Sequence, residues 1–159
     1  MADSARRFTS RAWGWFLVAT QGVLFLAVAL WPSSWGPQVP AAREVGAALI
    51  LLSAVGAAAS ALHLGRALTP LPHPNGTGMT ARGVYRWVRH PMYTSVLVGC
   101  AGVATARGSL AVWVVTGILA AFFDAKTRLE EGLLVSTYDG YSSYAARTGK
   151  FIPGVGRRR

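Results

Sequence analysis

The stretch Thr69 to Tyr93, TPLPHPNGTGMTARGVYRWVRHPMY, decides how the rest of the chain is read. It lies between apolar runs, is rich in Pro, Gly and Arg, and holds His73 and His90, two of the three histidines. A polar loop of this length inside an apolar chain is either functional or unstructured. Its closing half argues for structure. Tyr85, Trp87 and Tyr93 are large aromatics, and Pro91 stands where a new apolar helix begins, a favoured first-turn position.

The composition around this loop is that of a membrane protein. The chain has 159 residues, enough for one domain, and is 52% apolar with 14% charged residues. An average soluble domain carries roughly 25% charged residues. The net charge of +10 invites a nucleic-acid reading. The basic residues flank apolar segments, however, and do not form a stripe on a soluble fold, so no nucleic-acid partner is expected. Cys100 is the single cysteine, which excludes an internal disulfide and a cysteine-based metal site. It reads as an inert buried thiol. The scattered histidines have no paired ligand spacing, and no metal is expected.

Upstream, Trp13 to Trp31 runs without a charge and suits a membrane-spanning helix of about 20 residues. Trp13, Trp15, Trp31 and Trp35 mark its ends as an interfacial aromatic belt does. The run is too long for a usual signal-peptide core, so a cleaved leader fits less well. Pro32 to Pro40 is a short loop. Val45 to Leu64 is a second span, with small residues Gly46, Ser53, Ala57 and Ser60 near one face, as close packing in lipid favours. His63 at its end reads as an interfacial histidine. Downstream, Met92 to Ala106 and Leu110 to Phe123 are apolar arms of a tight helical hairpin that turns at Arg107-Gly108-Ser109. The second arm is expected to continue as helix through Asp124, Lys126, Arg128, Glu130 and Glu131 to about Val135.

Lys and Arg counts set the expected topology. The amino end has 3, the first loop 1 (Arg43), the central loop 4, the hairpin turn 1 (Arg107) and the carboxyl end 7. Cytoplasmic sides are enriched in Lys and Arg. The expectation is therefore an all-α integral membrane protein with four transmembrane helices, both termini cytoplasmic, and a site on the cytoplasmic side. The short, Ala- and Arg-rich chain reads as bacterial, hence an inner-membrane location. One membrane domain covers 1–159, with an N-terminal helix pair (1–68), a catalytic half (69–153) and a basic tail (154–159).

Two constellations share that face. One is Gly83-Val84-Tyr85 with Arg89-His90-Pro91-Met92-Tyr93; the other is Glu130-Glu131-Gly132-Leu133-Leu134 with Tyr141, Tyr144 and Phe151-Ile152-Pro153. A helix start offers free N–H groups and a positive dipole end. An ionisable residue at membrane depth points to function by default. Blander roles stand beside these. Tyr85 and Trp87 are also suited to interfacial anchoring, Arg89 to headgroups or helix carbonyls, and His90 to a helix cap. Glu130 and Glu131 also suit a solvated helix end paired with Lys126. Tyr141 and Tyr144 read as packing residues.

The ordered set GxY, RHPxY, EExxL, YxxY and a late Pro resembles the isoprenylcysteine carboxyl methyltransferase family and its phospholipid-methylating relatives, over about residues 69 to 153. TPLP at Thr69 to Pro72 is similar to many bacterial members. The resemblance implies a small helical membrane enzyme that binds S-adenosylmethionine on its cytoplasmic side. It implies a cofactor pocket built from Thr77, Gly78, Met79, Thr80, Tyr85, His90, Pro91, Met92, Tyr93 and Glu130. On the acceptor side it implies a basic residue one turn before that Glu. Here this is Lys126, where Arg is expected, with Arg128 close by; Lys126, Arg128 and Glu131 are the candidate catalytic residues. The acceptor implied is small or lipid-like, isoprenoid or carboxylate-bearing, and reached from the lipid bilayer. The rival readings are a sterol-reductase-like membrane reductase using NADPH, and a non-catalytic membrane protein that retains the fold.

Overall fold

A computed structural model describes residues 11–32, 35–69, 71 and 78–158. Among these residues, five α-helices follow in order: α1 (Arg11–Leu30), α2 (Arg43–Leu64), α3 (Pro91–Arg107), α4 (Leu110–Thr137) and the short α5 (Tyr141–Arg147). Two 3-10 turns, Gly65–Ala67 and Gly83–Arg86, lie between α2 and α3. Among the described residues there is no strand, only the isolated bridges Gln38 to Ser109 and Val88 to Gly149. The apolar runs became helices within a few residues of the expected ends; α4 continues to Thr137, slightly past Val135.

Among the described residues, three helices are long and apolar enough to cross a membrane: Ala12–Leu30, Arg43–Ala67 and Leu110–Thr137. The hairpin's first arm, α3, has 17 residues. At 1.5 Å per residue it is about 25 Å long, short of the roughly 30 Å hydrocarbon layer. It is also the most enclosed of the long helices, packed between α2 and α4.

The first two helices do not pack as a pair. α2 lies along α3 in the most extensive interface, while α1 leans on α4. Small residues set the α2–α3 approach. A Cβ on Gly46 would lie 2.5 Å from Ala106 Cβ, and one on Gly99 2.5 Å from Ser53 Oγ. One on Gly56 would lie 2.5 Å from Ser95 Oγ. Lipid tails are as apolar as side chains, so such close backbone contact supplies the attraction that burial supplies in water. The core itself is Val28, Cys100, Ala104, Val112, Val115, Leu119 and Phe123, joining α1, α3 and α4.

The hairpin turn falls at Gly108, whose φ of 62° and close approach to Val39 O exclude a side chain. Ser109 then caps α4, its Oγ accepting from Val112 N at 3.4 Å. Arg107 donates to Val28 O at 3.1 Å and Ala29 O at 2.8 Å. It therefore satisfies the carbonyl end of α1, where a cation also suits the helix dipole. These contacts gather the end of α1, the start of α2 and the hairpin turn at one end of the bundle. The central loop, the start of α3, the end of α4, α5 and the tail gather at the other.

Candidate active site

The site is built at that second end from the start of α3 outward. Pro91 opens α3 at its first turn and His90 occupies the cap position, yet the His90 ring makes no cap bond. Its Nε2 lies 2.9 Å from Glu131 Oε1 on α4. Next to it, the buried Arg89 guanidinium reaches four acceptors. Nε donates to Glu131 Oε1 at 2.8 Å, Nη1 to Ala145 O at 3.0 Å and to Thr148 O, and Nη2 to Gly156 O at 2.9 Å. Of the roles open to Arg89 in the sequence, holding backbone carbonyls is the one observed. Backbone bonds from Arg89 N to Gly149 O (2.8 Å) and His90 N to Lys150 O (3.1 Å) complete the clasp on the tail.

One turn along α3, Tyr93 donates to Glu130 Oε1 at 2.6 Å. Its ring stacks on Phe123 at 4.5 Å between centroids, with Lys126 Nζ 5.2 Å over its face. The expected shared face of Lys126 and Glu130 on α4 is present, with Nζ 3.9 Å from Glu130 Oε1. That separation exceeds hydrogen-bond reach. Lys126 instead donates to Gln21 Oε1 of α1 at 2.9 Å. Arg128 points outward, paired with Asp124 at 2.6 Å and largely exposed.

Gly83 starts the 3-10 turn with φ 57°, and a Cβ there would collide with the His63 ring. This close contact sets Tyr85 against the bundle and gives His63 a packing role. Tyr85 is locked further by Tyr144, whose hydroxyl donates to Tyr85 O at 2.6 Å. Burial pushes the Tyr85 phenol up to about 12, and raises Tyr141 and Tyr144 as well. All three are neutral hydroxyls at ordinary pH.

These residues enclose a cavity of about 470 Å³, inside the range of about 300–1,000 Å³ usual for small-molecule sites. Gly78, Met79, Thr80, Tyr85, His90, Met92, Tyr93, Glu130 and Lys126 line it, as do Arg89 and Tyr141, Tyr144 and Tyr138. Thr77 lies outside the described residues. Pro91 is buried at the helix start without lining the cavity, Glu131 stands behind the wall bonded to Arg89 and His90, and Arg128 faces away. The structure adds Gln21 from α1 and Leu64, Ala67, Leu68, Thr69 and Leu71 from the end of α2 and the loop after it. Gln21 had one sequence signal, an amide in the middle of an otherwise apolar span. The described lining contains no serine or cysteine nucleophile. Among the described residues, no three His, Cys, Asp or Glu side chains sit together as a metal set. The arrangement binds and orients: tyrosine faces and a carboxylate at the mouth, an ammonium and an amide deeper along the helices.

The chain is similar to known proteins in sequence and in fold. A family profile described as phospholipid methyltransferase matches residues 41–140. The cobalt-zinc-cadmium resistance protein CzcN of Cupriavidus metallidurans is 36% identical over 80 residues, covering 50% of this chain and 37% of that protein. A solved structure of the eukaryotic intramembrane Ras methyltransferase, isoprenylcysteine carboxyl methyltransferase, aligns with a TM-score of 0.66 at 20% identity. The alignment covers 94% of this chain and 56% of that one, a likeness of fold. The chain thus spans well under two thirds of either protein.

Proposed function

The chain belongs to the phospholipid methyltransferase family, and on that footing we propose that it uses S-adenosylmethionine to methylate a lipid-like or small amphiphilic acceptor. The observation that carries this reading is one cavity whose lining runs from the loop before α3 to the middle of α1. Its mouth is made by Gly78 to Thr80, Tyr85, Tyr93 and Glu130 at the loop end of the bundle. Its floor reaches Gln21, midway along a helix apolar enough to cross the membrane. A water-soluble donor and a membrane-soluble acceptor need such a shared chamber.

The residues present fit this cofactor. It is a sulfonium with an ammonium group and ribose hydroxyls, and the mouth offers a carboxylate and electron-rich ring faces, which attract cations. Bound there, it supplies an electrophilic methyl group, so the protein's task is mainly alignment. Glu130, fixed by the Tyr93 hydroxyl, receives hydroxyl or ammonium donors. His90 is held by Glu131 and walls the chamber beside Tyr93. Lys126 stands one turn deeper and orients the acceptor. In this reading α3 completes four membrane crossings, the Lys and Arg asymmetry places the site and both termini in the cytoplasm, and residues 69–153 form the catalytic half.

Calorimetric titration of the purified protein with S-adenosylmethionine and with NADPH tests the assignment. Saturable S-adenosylmethionine binding is expected, in the range of about 1 μM–1 mM usual for enzyme substrates, with none for NADPH. Binding of NADPH alone would favour a membrane reductase, and binding of neither a non-catalytic protein.

A further inference from the structure

Lys126 is buried on α4, and its ammonium makes its direct hydrogen bond to a residue of a different helix, Gln21 Oε1 at 2.9 Å. An ammonium only donates, so the Gln21 oxygen must face Lys126 and the amide nitrogen must face the other way. Both residues line the cavity. Among the described residues the Gln21 nitrogen makes no hydrogen bond within the protein, and Glu130 at 3.9 Å leaves the remaining Lys126 donors unbonded. Two sets of donors from two helices thus meet in the chamber, beside the Glu130 Oε1 that accepts from the Tyr93 hydroxyl at 2.6 Å and lies 3.9 Å from Lys126 Nζ.

We propose that Gln21 is a specificity-determining residue: with Lys126 it forms a two-point donor that reads an anionic oxygen group on the acceptor, such as a carboxylate, and rejects an amine. The inference rests on the methyltransferase reading of the cavity and adds the acceptor's charge and the residue of α1 that reads it. A lysine alone is a point donor. Gln21 supplies the second point, and hydrogen bonds to an ionised acceptor are about twice as strong as neutral ones. A protonated amine in the same place meets the Lys126 ammonium, while the Gln21 oxygen is committed to Lys126 and the nearest carboxylate, Glu130, is engaged by the Tyr93 hydroxyl and, in the methyltransferase reading, by the cofactor. With a carboxylate acceptor the transfer balances without a base. A C–O bond forms as the C–S bond breaks, the carboxylate charge is consumed in the ester, the sulfonium becomes a neutral thioether, and no proton moves.

The test uses the whole chain in neutral nanodiscs. A long-chain fatty acid and an alkylamine of equal chain length serve as probes, with binding read by displacement of a fluorescent fatty acid. The wild type is expected to bind the acid about tenfold more tightly than the amine, the equivalent of one charge-assisted hydrogen bond. Gln21→Leu is expected to weaken the acid about tenfold and leave S-adenosylmethionine affinity unchanged. Gln21→Glu keeps an oxygen for Lys126 and similar packing, but replaces the donor by a negative charge; it should reverse the preference toward the amine. A purely structural Gln21 predicts no such reversal. Equal affinity of the wild type for acid and amine would overturn the proposal, as would unchanged acid affinity in Gln21→Leu. Loss of S-adenosylmethionine affinity in Gln21→Leu would also overturn it, by making Gln21 part of the cofactor wall. A wild type that selects the acid but does not bind S-adenosylmethionine would refute the methyltransferase reading and leave the anion site standing.

Discussion

Arg89→Ala is expected to cost about 3–5 kcal/mol of stability and to release the carboxyl-terminal segment from the site. Arg89 and Glu131 are both buried, with side chains 2% and 7% exposed. Removing one partner of such a pair strands a charge in low dielectric, which is more damaging than the pair itself is stabilising. The backbone carbonyls of Thr148 and Gly156 lose the Arg89 donor at the same time, and that of Ala145 is left with Arg158 N alone at 3.1 Å. Arg89→Lys should fail almost as badly, because one ammonium cannot span four acceptors spread over α4, α5 and the tail. Combining Arg89→Met with Glu131→Leu removes the stranded carboxylate and should recover part of the loss, but not the carbonyl contacts. Thermal melting in detergent and limited proteolysis after residue 147 check this. An Arg89→Ala protein with the wild-type melting temperature and a protected tail would show that the clasp does not hold the site.

The second large effect separates two residues one helical turn apart. Glu130→Ala removes the carboxylate at the cavity mouth and frees the Tyr93 hydroxyl that it accepts from at 2.6 Å. If Glu130 holds the cofactor, affinity for S-adenosylmethionine should fall about a hundredfold, the loss of roughly 2–3 kcal/mol that a hydrogen bond to a charged group contributes. Lys126→Met keeps the buried bulk and the apolar stem but removes the ammonium. It should change cofactor affinity by less than about twofold while turnover falls tenfold or more, since the lost contact is to the acceptor. Calorimetry with the cofactor and steady-state turnover on one acceptor decide between these. Equal losses of cofactor affinity in the two variants would mean that Lys126 serves only to hold Glu130 in place.

Much of the fold was legible because a membrane imposes simple rules on sequence. The uncharged run Trp13 to Trp31 had to become one helix, and of the small residues Gly46, Ser53, Ala57 and Ser60, Gly46 meets Gly102 and Ser53 meets Gly99 of α3, while Gly56 rather than Ala57 meets Ser95. At 17 residues, α3 is shorter than the three described helices that are long and apolar enough to cross a membrane. The cavity's mouth was legible because the chemistry-bearing side chains cluster in two short motifs. Partners that are backbone atoms were not. Nothing in the letters of Ala145, Thr148 or Gly156 marks them as acceptors for Arg89, and whether an arginine binds headgroups or carbonyls depends on where the chain folds back. Glu131 shows the same limit. It neighbours Glu130 in sequence, yet a step of about 100° around the helix turns it from the cavity to the Arg89 and His90 pair. Gln21 lies 105 residues from Lys126, and no local pattern links them.

Methyl transfer in this cavity to a membrane-soluble acceptor is the proposed activity. Its most direct test is to incubate the purified chain in nanodiscs with methyl-labelled S-adenosylmethionine and a lipid extract, then follow label into the organic phase. The wild type is predicted to accumulate a labelled, membrane-soluble product, and Glu130→Ala to accumulate none above background at the same cofactor concentration. Equal labelling by the two proteins, or none by a wild type that binds the cofactor, would contradict the account.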